Sequence, residues 1–422
     1  MTDTSVPPPT PPSSKAAMVI VFLVVFIDLL GFGIVLPILP QLIDGLIGPA
    51  EIPTAYSGWV IGGLMSVFSL MQFLFSPVWG RVSDKVGRRP ILLIGLVGSV
   101  VFYALFGYAC SLGAAEHAGM ILLLILIARV GAGVSGATIS TAQAVIADCT
   151  SKEKRSHGMA LIGIAFGIGF TFGPIMAAVA LSLFPENLES VGYLAATMSL
   201  MALILAIVKL PETRTPTGPG AKRSWLSVSQ LFSTLQTPTV GMLVLIFFLA
   251  TFGFALFEGT LALLTKDFQY SKSQTLWIFA YVGFVLMFTQ GFFYRRLVKK
   301  HGEVAMMRLG VGFMFLGLAG IGAIVIAPQL PMRETAFFIA LAAGVIGFAF
   351  LTPSAQALIS KRSDPARQGE VLGVNQSFSA LARILGPLSG AVLFKAYEPP
   401  VLPYAASAVL LGLVLAMLPK IK

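Results

Sequence analysis

Long apolar runs alternate with short polar segments along almost the whole chain. A helix that crosses a membrane needs about 20 mostly apolar residues. Twelve runs are of roughly that length, near residues 18–40, 57–79, 91–113, 119–147, 158–183, 191–209, 239–263, 274–294, 304–327, 335–358, 369–395 and 400–419. The pattern therefore predicts an all-α integral membrane protein with twelve transmembrane helices.

The longest polar segment, residues 211–238, separates these runs into two groups of six. Its content of Pro, Thr, Ser and Gly is typical of a linker. Two short motifs recur across it at an offset of 213 residues: Ala142-Gln-Ala144 as Ala355-Gln-Ala357, and Gly173-Pro174 as Gly386-Pro387. Such a parallel repeat predicts two six-helix bundles, residues 17–210 and 239–422, related by a pseudo-two-fold axis.

The distribution of positive charge orients the chain. If both termini are cytoplasmic, 22 of the 28 Lys and Arg residues fall in cytoplasmic segments and four in external loops, as the positive-inside rule requires. Residues 1–16 are rich in Pro, Ser and Thr and predict a disordered cytoplasmic tail rather than a signal peptide. We therefore expect a multi-pass protein of the cell (inner) membrane.

Composition agrees with a membrane protein and excludes several other classes. Of the 422 residues, 56% are hydrophobic and only 11% are charged, and the mean hydropathy is +0.89; soluble proteins have about 25% charged residues. The net charge of +10 lies in short, separate loops, which argues against nucleic acid as a partner. Cys110 and Cys149 fall on opposite sides of the predicted membrane, and no metal or cofactor motif occurs, so neither a disulfide nor a cofactor is expected.

The most heavily charged stretch is Gly80-Arg-Val-Ser-Asp-Lys-Val-Gly-Arg-Arg-Pro90. It predicts a short cytoplasmic hairpin with two turn-forming glycines and five charged residues: Gly80, Gly87, Arg81, Asp84, Lys85, Arg88 and Arg89. The cations have an alternative explanation in the positive-inside rule. Asp84 does not, and the corresponding segment of the second half, residues 295–302, has lysines near the place of this acid.

These features together resemble the major facilitator superfamily, and the resemblance covers essentially the whole chain. Three further blocks are similar to drug/proton antiporters of the tetracycline-efflux type: Asp28-Leu-Leu-Gly-Phe-Gly-Ile-Val-Leu-Pro-Ile-Leu-Pro40, Arg129-Val-Gly-Ala-Gly-Val-Ser-Gly-Ala137 and Gly163-Ile-Ala-Phe-Gly-Ile-Gly-Phe-Thr-Phe-Gly-Pro174. The resemblance implies a secondary active transporter. It also implies that the hairpin, through Asp84, helps to latch the two halves on the cytoplasmic side in the outward-open state.

Four charged residues lie well inside the predicted spans: Asp28, Arg129, Glu258 and Arg383. An Asp, Lys or Arg at a helix centre costs about 2.5–3.5 kcal/mol, so such residues usually face a cavity or a partner. Asp28 and Glu258 are candidate proton carriers, and the family resemblance implicates Arg129 in proton coupling. The alternatives are structural, namely a hydrogen bond between helices for Asp28 and an ion pair with a neighbouring span for Arg129.

Arg383 has no counterpart in the first half, where Phe170 stands at the matching position. This asymmetry predicts a role in contacting substrate or in pairing. Neutral polar residues at membrane depth are further candidates for a cavity lining: Gln72, Gln143, Gln290, Gln356, Asn375 and Gln376.

The fifth span has small residues at close spacing: Gly163, Gly167, Gly169 and Gly173. They favour tight helix packing, and Pro174 is expected to break the helix. Ordinary packing is one interpretation. We favour packing that also seals the two halves together, because an antiporter must not leak.

The chain departs from the tetracycline pumps at three positions. The resemblance implies acids in spans 3 and 9 and a histidine in span 8, but Phe102, Met314 and Leu286 stand there. Export of a metal–tetracycline cation is therefore not expected. Two acids and two arginines within the spans instead favour a small amphipathic or anionic organic solute.

The sequence thus predicts a monomeric transporter, not an enzyme, that exchanges protons for this solute across the lipid bilayer by rocker-switch alternating access. A uniporter or proton-coupled importer of a nutrient or metabolite is the alternative. An integral-membrane enzyme or a receptor is more remote, because no nucleophile–base pair, metal cluster or phosphate-binding loop occurs in the sequence.

Overall fold

The computed structural model describes residues 14–149, 155–185, 187–213, 235–363 and 368–421. All regular structure in these residues is helical. The helices are α1 (Ser14–Val35), α2 (Leu39–Ile47), α3 (Ser57–Val86), α4 (Arg88–Ser111), α5 (Ala114–Gly136), α6 (Ile139–Asp148), α7 (Arg155–Leu183), α8 (Glu189–Lys209), α9 (Pro238–Asp267), α10 (Lys272–Phe288), α11 (Arg295–Ile326), α12 (Arg333–Arg362), α13 (Gln368–Ala396) and α14 (Leu402–Met417), with a π-helical turn at Thr289–Tyr294.

Ten helical segments of the described residues are long and apolar enough to cross a membrane. One of them, Lys272–Ile326, has 55 residues and turns sharply at Gly302, where φ is 77°. A further apolar helix covers Gly167–Leu183. The all-α membrane architecture is confirmed, and the count of twelve spans stays a prediction.

Several predicted boundaries differ from the structure. The first span continues beyond Pro37, which interrupts the hydrogen-bond ladder because it has no N–H, into the short helix α2. Helix α1 begins at Ser14, within the predicted disordered tail, residues 1–16. Residues 1–13 and most of the predicted linker lie outside the described residues.

The charged hairpin is mostly helix. α3 continues through Gly80 to Val86, and the turn before α4 is Gly87 alone, at a φ of 119°. Only glycine adopts that conformation readily. Gly80 is therefore not a turn former, because the polar end of α3 extends beyond the apolar run as regular helix.

Most helix packing occurs within the two halves of the chain. α1 packs on α7 and α4 on α8 in the first half, and α9 packs on α13 and α11 on α12 in the second. The halves meet where α3 packs on α13 and α7 on α10. A space between these two seams is left for a central cavity.

Candidate functional site

A cavity of about 300 Å³ lies between the two halves. Its walls come from α1 to α7 of the first half and from α9, α10 and α13 of the second. Six aromatic side chains line it: Phe32, Phe68, Phe73, Tyr103, Phe170 and Phe279. A mostly apolar lining with a few polar groups is typical of sites for small organic molecules.

Two of the charged residues predicted to be functional, Arg383 and Glu258, face this cavity from the second half. Helix α9 carries Glu258 and approaches α13 closely, since a methyl group at Gly259 would lie 2.7 Å from Pro387 Cα. α13 directs four residues at three- and four-residue spacing into the cavity: Gln376, Ala380, Arg383 and Pro387. The close helix pair therefore places a cation and an acid in one space.

Arg383 and Glu258 interact electrostatically, but neither forms a hydrogen bond or an ion pair with another described residue. The Arg383 side chain is exposed to the cavity and that of Glu258 is partly exposed. The guanidinium group thus keeps its donors free for an oxyanion, which it can bind with two parallel hydrogen bonds. The carboxyl group of Glu258 remains free to take up a proton.

Arg129 lies behind the cavity wall, where it is 2% exposed. Its guanidinium carbon is 4.5 Å from the ring centroid of Phe68 and 5.7 Å from that of Phe32. These two rings stack at 4.7 Å and line the cavity. Within the described part of the chain the guanidinium nitrogens of Arg129 have no hydrogen-bond partner, so cation–π contacts hold this cation next to the cavity.

The side chain of Asp28 lies outside the described residues. Its position on α1 is one helical turn before Phe32, the ring that Arg129 contacts. The backbone therefore places this predicted proton carrier on the same segment of α1 as the aromatic contact of Arg129.

The neutral polar candidates are divided between the cavity and other surfaces. Gln376 and Gln72 line the cavity. The lining does not include the other four, which lie on other helix faces: Gln143, Gln290, Gln356 and Asn375. A role for these four in the cavity stays a prediction, and depth in the membrane alone does not determine which way a helical residue points.

Within the described part of the chain, Arg88 of the charged hairpin makes its polar contacts with the first half. Arg88 pairs with Asp84 at 2.5 Å and with Asp148, at the end of α6, at 3.1 Å. It also donates to the Ser83 hydroxyl at 2.7 Å. Among the described residues none of these contacts reaches the second half, so the proposed latch stays a prediction.

Sequence reasoning missed the partner that holds the hairpin in place. Glu212, just after α8, accepts backbone N–H groups of Arg88 at 2.9 Å and Arg89 at 3.1 Å. It thereby satisfies the open N-terminus of α4 with a negative charge, as the helix dipole favours. The only sequence signal is an acid at the membrane boundary, opposite a helix that begins directly after Gly87.

The glycines of the fifth span seal α7 to α1 within the first half. A methyl group at Gly173 would lie 2.6 Å from Gly33 C, and one at Gly33 would lie 2.8 Å from Gly169 O. A methyl group added at Gly167 would meet no described atom of another helix within 4 Å, and Gly163 lies outside the described side chains. The expected seal between the halves is therefore made elsewhere on α7, where Gly283 of α10 approaches Thr171.

Pro174 does not break the fifth span, because α7 continues to Leu183. Membrane helices tolerate proline where neighbouring helices and side chains satisfy the freed backbone groups.

The two halves are joined at the end of the molecule opposite Gly87, which we call the closed end. Gln41 on α2 donates hydrogen bonds to Ala262 O at 2.8 Å and to the Thr275 and Thr265 hydroxyls at 3.1 and 3.3 Å. Asp44, on the same short helix, pairs with Lys266 and Lys395, each at 2.6 Å. These contacts were not predicted, because α2 begins at the end of the first predicted span, residues 18–40, and continues beyond it.

Backbone packing completes the closed end. Methyl groups added at Gly58 and Gly62 of α3 would lie 2.7 Å from the Cα atoms of Val392 and Leu388 on α13. Ser66 donates to Ile384 O at 2.6 Å across the same seam. The cavity therefore lies between this closed end and the end that carries Gly87.

Comparisons with known proteins agree with the predicted family. The family model described as Major Facilitator Superfamily matches residues 21–387. Major facilitator superfamily domain-containing protein 10 of Homo sapiens is 30% identical over 418 residues, which cover 89% of this chain and 86% of that protein. The class E tetracycline resistance protein of Escherichia coli is 27% identical over 378 residues, covering 88% and 86%.

Solved structures show the same relationship. The human organic anion transporter MFSD10 has a TM-score of 0.63 at 27% identity, covering 96% of this chain and 100% of that one. A D-xylose-proton symporter has a TM-score of 0.78 at 16% identity, covering 97% and 98%, which shows the fold alone. The chain therefore belongs to the Major Facilitator Superfamily and is a membrane transporter rather than an enzyme.

Proposed function

We propose that the protein exports a small anionic or amphipathic organic solute in exchange for protons. The observation that carries the proposal is Arg383, a guanidinium group without a hydrogen-bond partner among the described residues, exposed in a central cavity of about 300 Å³. The solute's oxyanion binds to Arg383, and its apolar part packs on aromatic rings such as Phe68 and Phe170. The similarity to a protein described as an organic anion transporter supports an anionic group.

The proton site in this proposal is separate from the solute site. Asp28, one turn before Phe32, takes up the proton, and Arg129 stabilises the deprotonated form from behind Phe32 and Phe68. Solute and proton then stabilise opposite states of the equilibrium between the inward-open and outward-open conformations. This opposition gives exchange of solute for protons. The similarity to tetracycline resistance proteins supports antiport.

The two halves, residues 17–210 and 239–422, move as the two bundles of a rocker switch around this cavity, in a single monomer in the bilayer. The closed end is external in this proposal, with both termini cytoplasmic. The cavity is then accessible from the cytoplasm.

Proton-coupled uptake is the second candidate, and one observation favours it. Glu258 lies in the same cavity as Arg383, so a proton on Glu258 removes the repulsion between its carboxylate and a bound anion. Solute and proton then bind together, which is the requirement for symport rather than antiport.

The test is transport in proteoliposomes of the purified full-length protein, with carboxyfluorescein as the anionic probe. An antiporter should move the probe in the direction opposite to the flow of protons down the imposed gradient. A symporter should move the probe in the same direction as the protons. Arg383→Gln should abolish probe transport, whereas Arg333→Gln, at the closed end, should not. Equal transport by the parent and Arg383→Gln would refute the assignment of the solute site.

A second arm isolates the proton site. Asp28→Asn should abolish the response to the proton gradient while exchange of probe for probe continues at equal pH. An unchanged response to the gradient would remove Asp28 from the mechanism without affecting the assignment of Arg383.

A further inference from the structure

An exposed stripe of aromatic and basic side chains follows the junction of α10 and α11. Phe284, Phe288 and Phe292 are 53%, 44% and 43% exposed, and their rings stack nearly parallel at centroid distances of 5.8 and 5.4 Å. The guanidinium carbon of Arg296 lies 4.0 Å from the ring centroid of Phe292. Lys300 continues the series four residues further on, and we call these five residues the Phe–Arg stripe.

The π-helical turn keeps the stripe in line. Residues four apart on an α-helix drift by about 40° around the axis, because the helix has 3.6 residues per turn. The π turn at Thr289–Tyr294 winds more slowly and offsets this drift between Phe288 and Arg296. The stripe is thereby a continuous surface that changes from apolar to positive along its length.

The positive end of the stripe carries charge that the chain does not neutralise. Arg295, Arg296, Lys299 and Lys300 are all exposed, and within the described part of the chain none of them forms an ion pair. In the equivalent hairpin of the first half, Asp84 and Asp148 pair with Arg88. The positive-inside rule accounts for cations in both places, but it does not account for their alignment with a stack of exposed phenylalanines.

We propose that the Phe–Arg stripe binds one anionic phospholipid. The phosphate contacts Arg296 and Lys300 through charge-assisted hydrogen bonds, and an acyl chain lies along the three rings. The three rings extend over two stacking distances, 5.8 and 5.4 Å between centroids. That length is close to one leaflet of the hydrocarbon core, about 15 Å.

The chemistry of the stripe distinguishes this partner from other anions. A phosphate ion or an acidic peptide would use the cations but would leave the phenylalanine stack without a partner. A zwitterionic lipid would cover the rings but would bring no net charge to the four cations. Only an anionic lipid matches both parts of the surface.

The test is native mass spectrometry of the full-length protein in detergent, titrated with phosphatidylglycerol and, separately, with phosphatidylcholine. The double variant Arg296→Gln/Lys300→Gln should bind phosphatidylglycerol about tenfold more weakly, since each basic residue near an anionic lipid strengthens binding several-fold. Lys209→Gln/Lys420→Gln is the matched control, because it removes two exposed cations away from the phenylalanines. It should bind phosphatidylglycerol as the parent does.

Two further arms test the apolar part. Phe288→Ala should weaken long-chain phosphatidylglycerol and leave the dihexanoyl lipid unchanged, because only the long chain reaches the ring stack. Inorganic phosphate in millimolar excess should not displace the bound lipid. Equal losses in the two double variants, equal binding of phosphatidylcholine, or displacement by phosphate would each overturn the proposal.

Discussion

Gly62→Ala should shift the protein away from the conformation in which the two halves touch at the closed end. Gly62 lies on α3 at the closed end, and an added methyl group would be 2.7 Å from Leu388 Cα and 2.8 Å from Leu388 O. Both atoms belong to the backbone of α13, so no rotation of a side chain relieves the clash. The two helices belong to opposite halves, and the clash disappears when the halves separate at this end.

The size of the effect follows from this geometry. Overpacking a close contact costs about 1–3 kcal/mol, and a difference of that size changes an equilibrium constant by roughly 5- to 150-fold. This overpacking cost applies only to the state in which α3 and α13 touch at the closed end. The fold of each half is unaffected, because Gly62 makes its close contact across the seam.

Distance measurement between spin labels is the assay. Labels at Glu51 and Lys272, in a background without Cys110 and Cys149, report on the closed end from the two halves. Gly62→Ala should add a population with a longer distance. Gly63→Ala is the control, since that methyl group would meet no atom within 4 Å, and identical distance distributions for both variants would refute the reasoning.

The same labels test two carboxylates. Asp44→Asn removes both lysine pairs of the closed end and should shift the equilibrium in the same direction as Gly62→Ala. The expected shift is less than about 1 kcal/mol per pair, because solvent reaches both lysines. No shift would show that the seam depends on packing alone. If Asp84 latches the halves at the other end, Asp84→Asn in the Gly62→Ala background should reduce the longer-distance population, and an unchanged population would leave this acid only its contact with Arg88.

The sequence was sufficient to find the charges that matter to the cavity. A charged side chain within a span is costly unless it faces a cavity or a partner, and this rule alone selects Glu258 and Arg383. It also selects Arg129, which lies one layer behind the cavity. The rule works because it depends on the membrane and not on the details of packing.

The sequence was not sufficient where packing between helices decides the outcome. Gln143 and Gln376 are both amides at membrane depth, but only Gln376 lies on the cavity face of its helix. Gln41 and Asp44 lie just beyond the first predicted span, and their helix was not predicted because its formation after Pro37 depends on contacts with α9 and α10 made in the folded protein. The role of Glu212 as an acceptor likewise depends on where the N-terminus of α4 lies in the folded protein, which the sequence does not show.

The closed end is held by contacts that are weak one by one. Each hydrogen bond of Gln41 contributes on the order of 0.5–1.5 kcal/mol net, and each pair of Asp44 contributes less than about 1 kcal/mol. A ligand shifts a conformational equilibrium only by its differential affinity for the two states, and such differences are about 1–3 kcal/mol. Because each contact at the seam is of this same size, a solute bound at Arg383 or a proton bound on α1 in the proposed mechanism offsets one or two of these contacts and thereby shifts the preference between the states. A seam of interlocked large side chains would be too stable for either ligand to open.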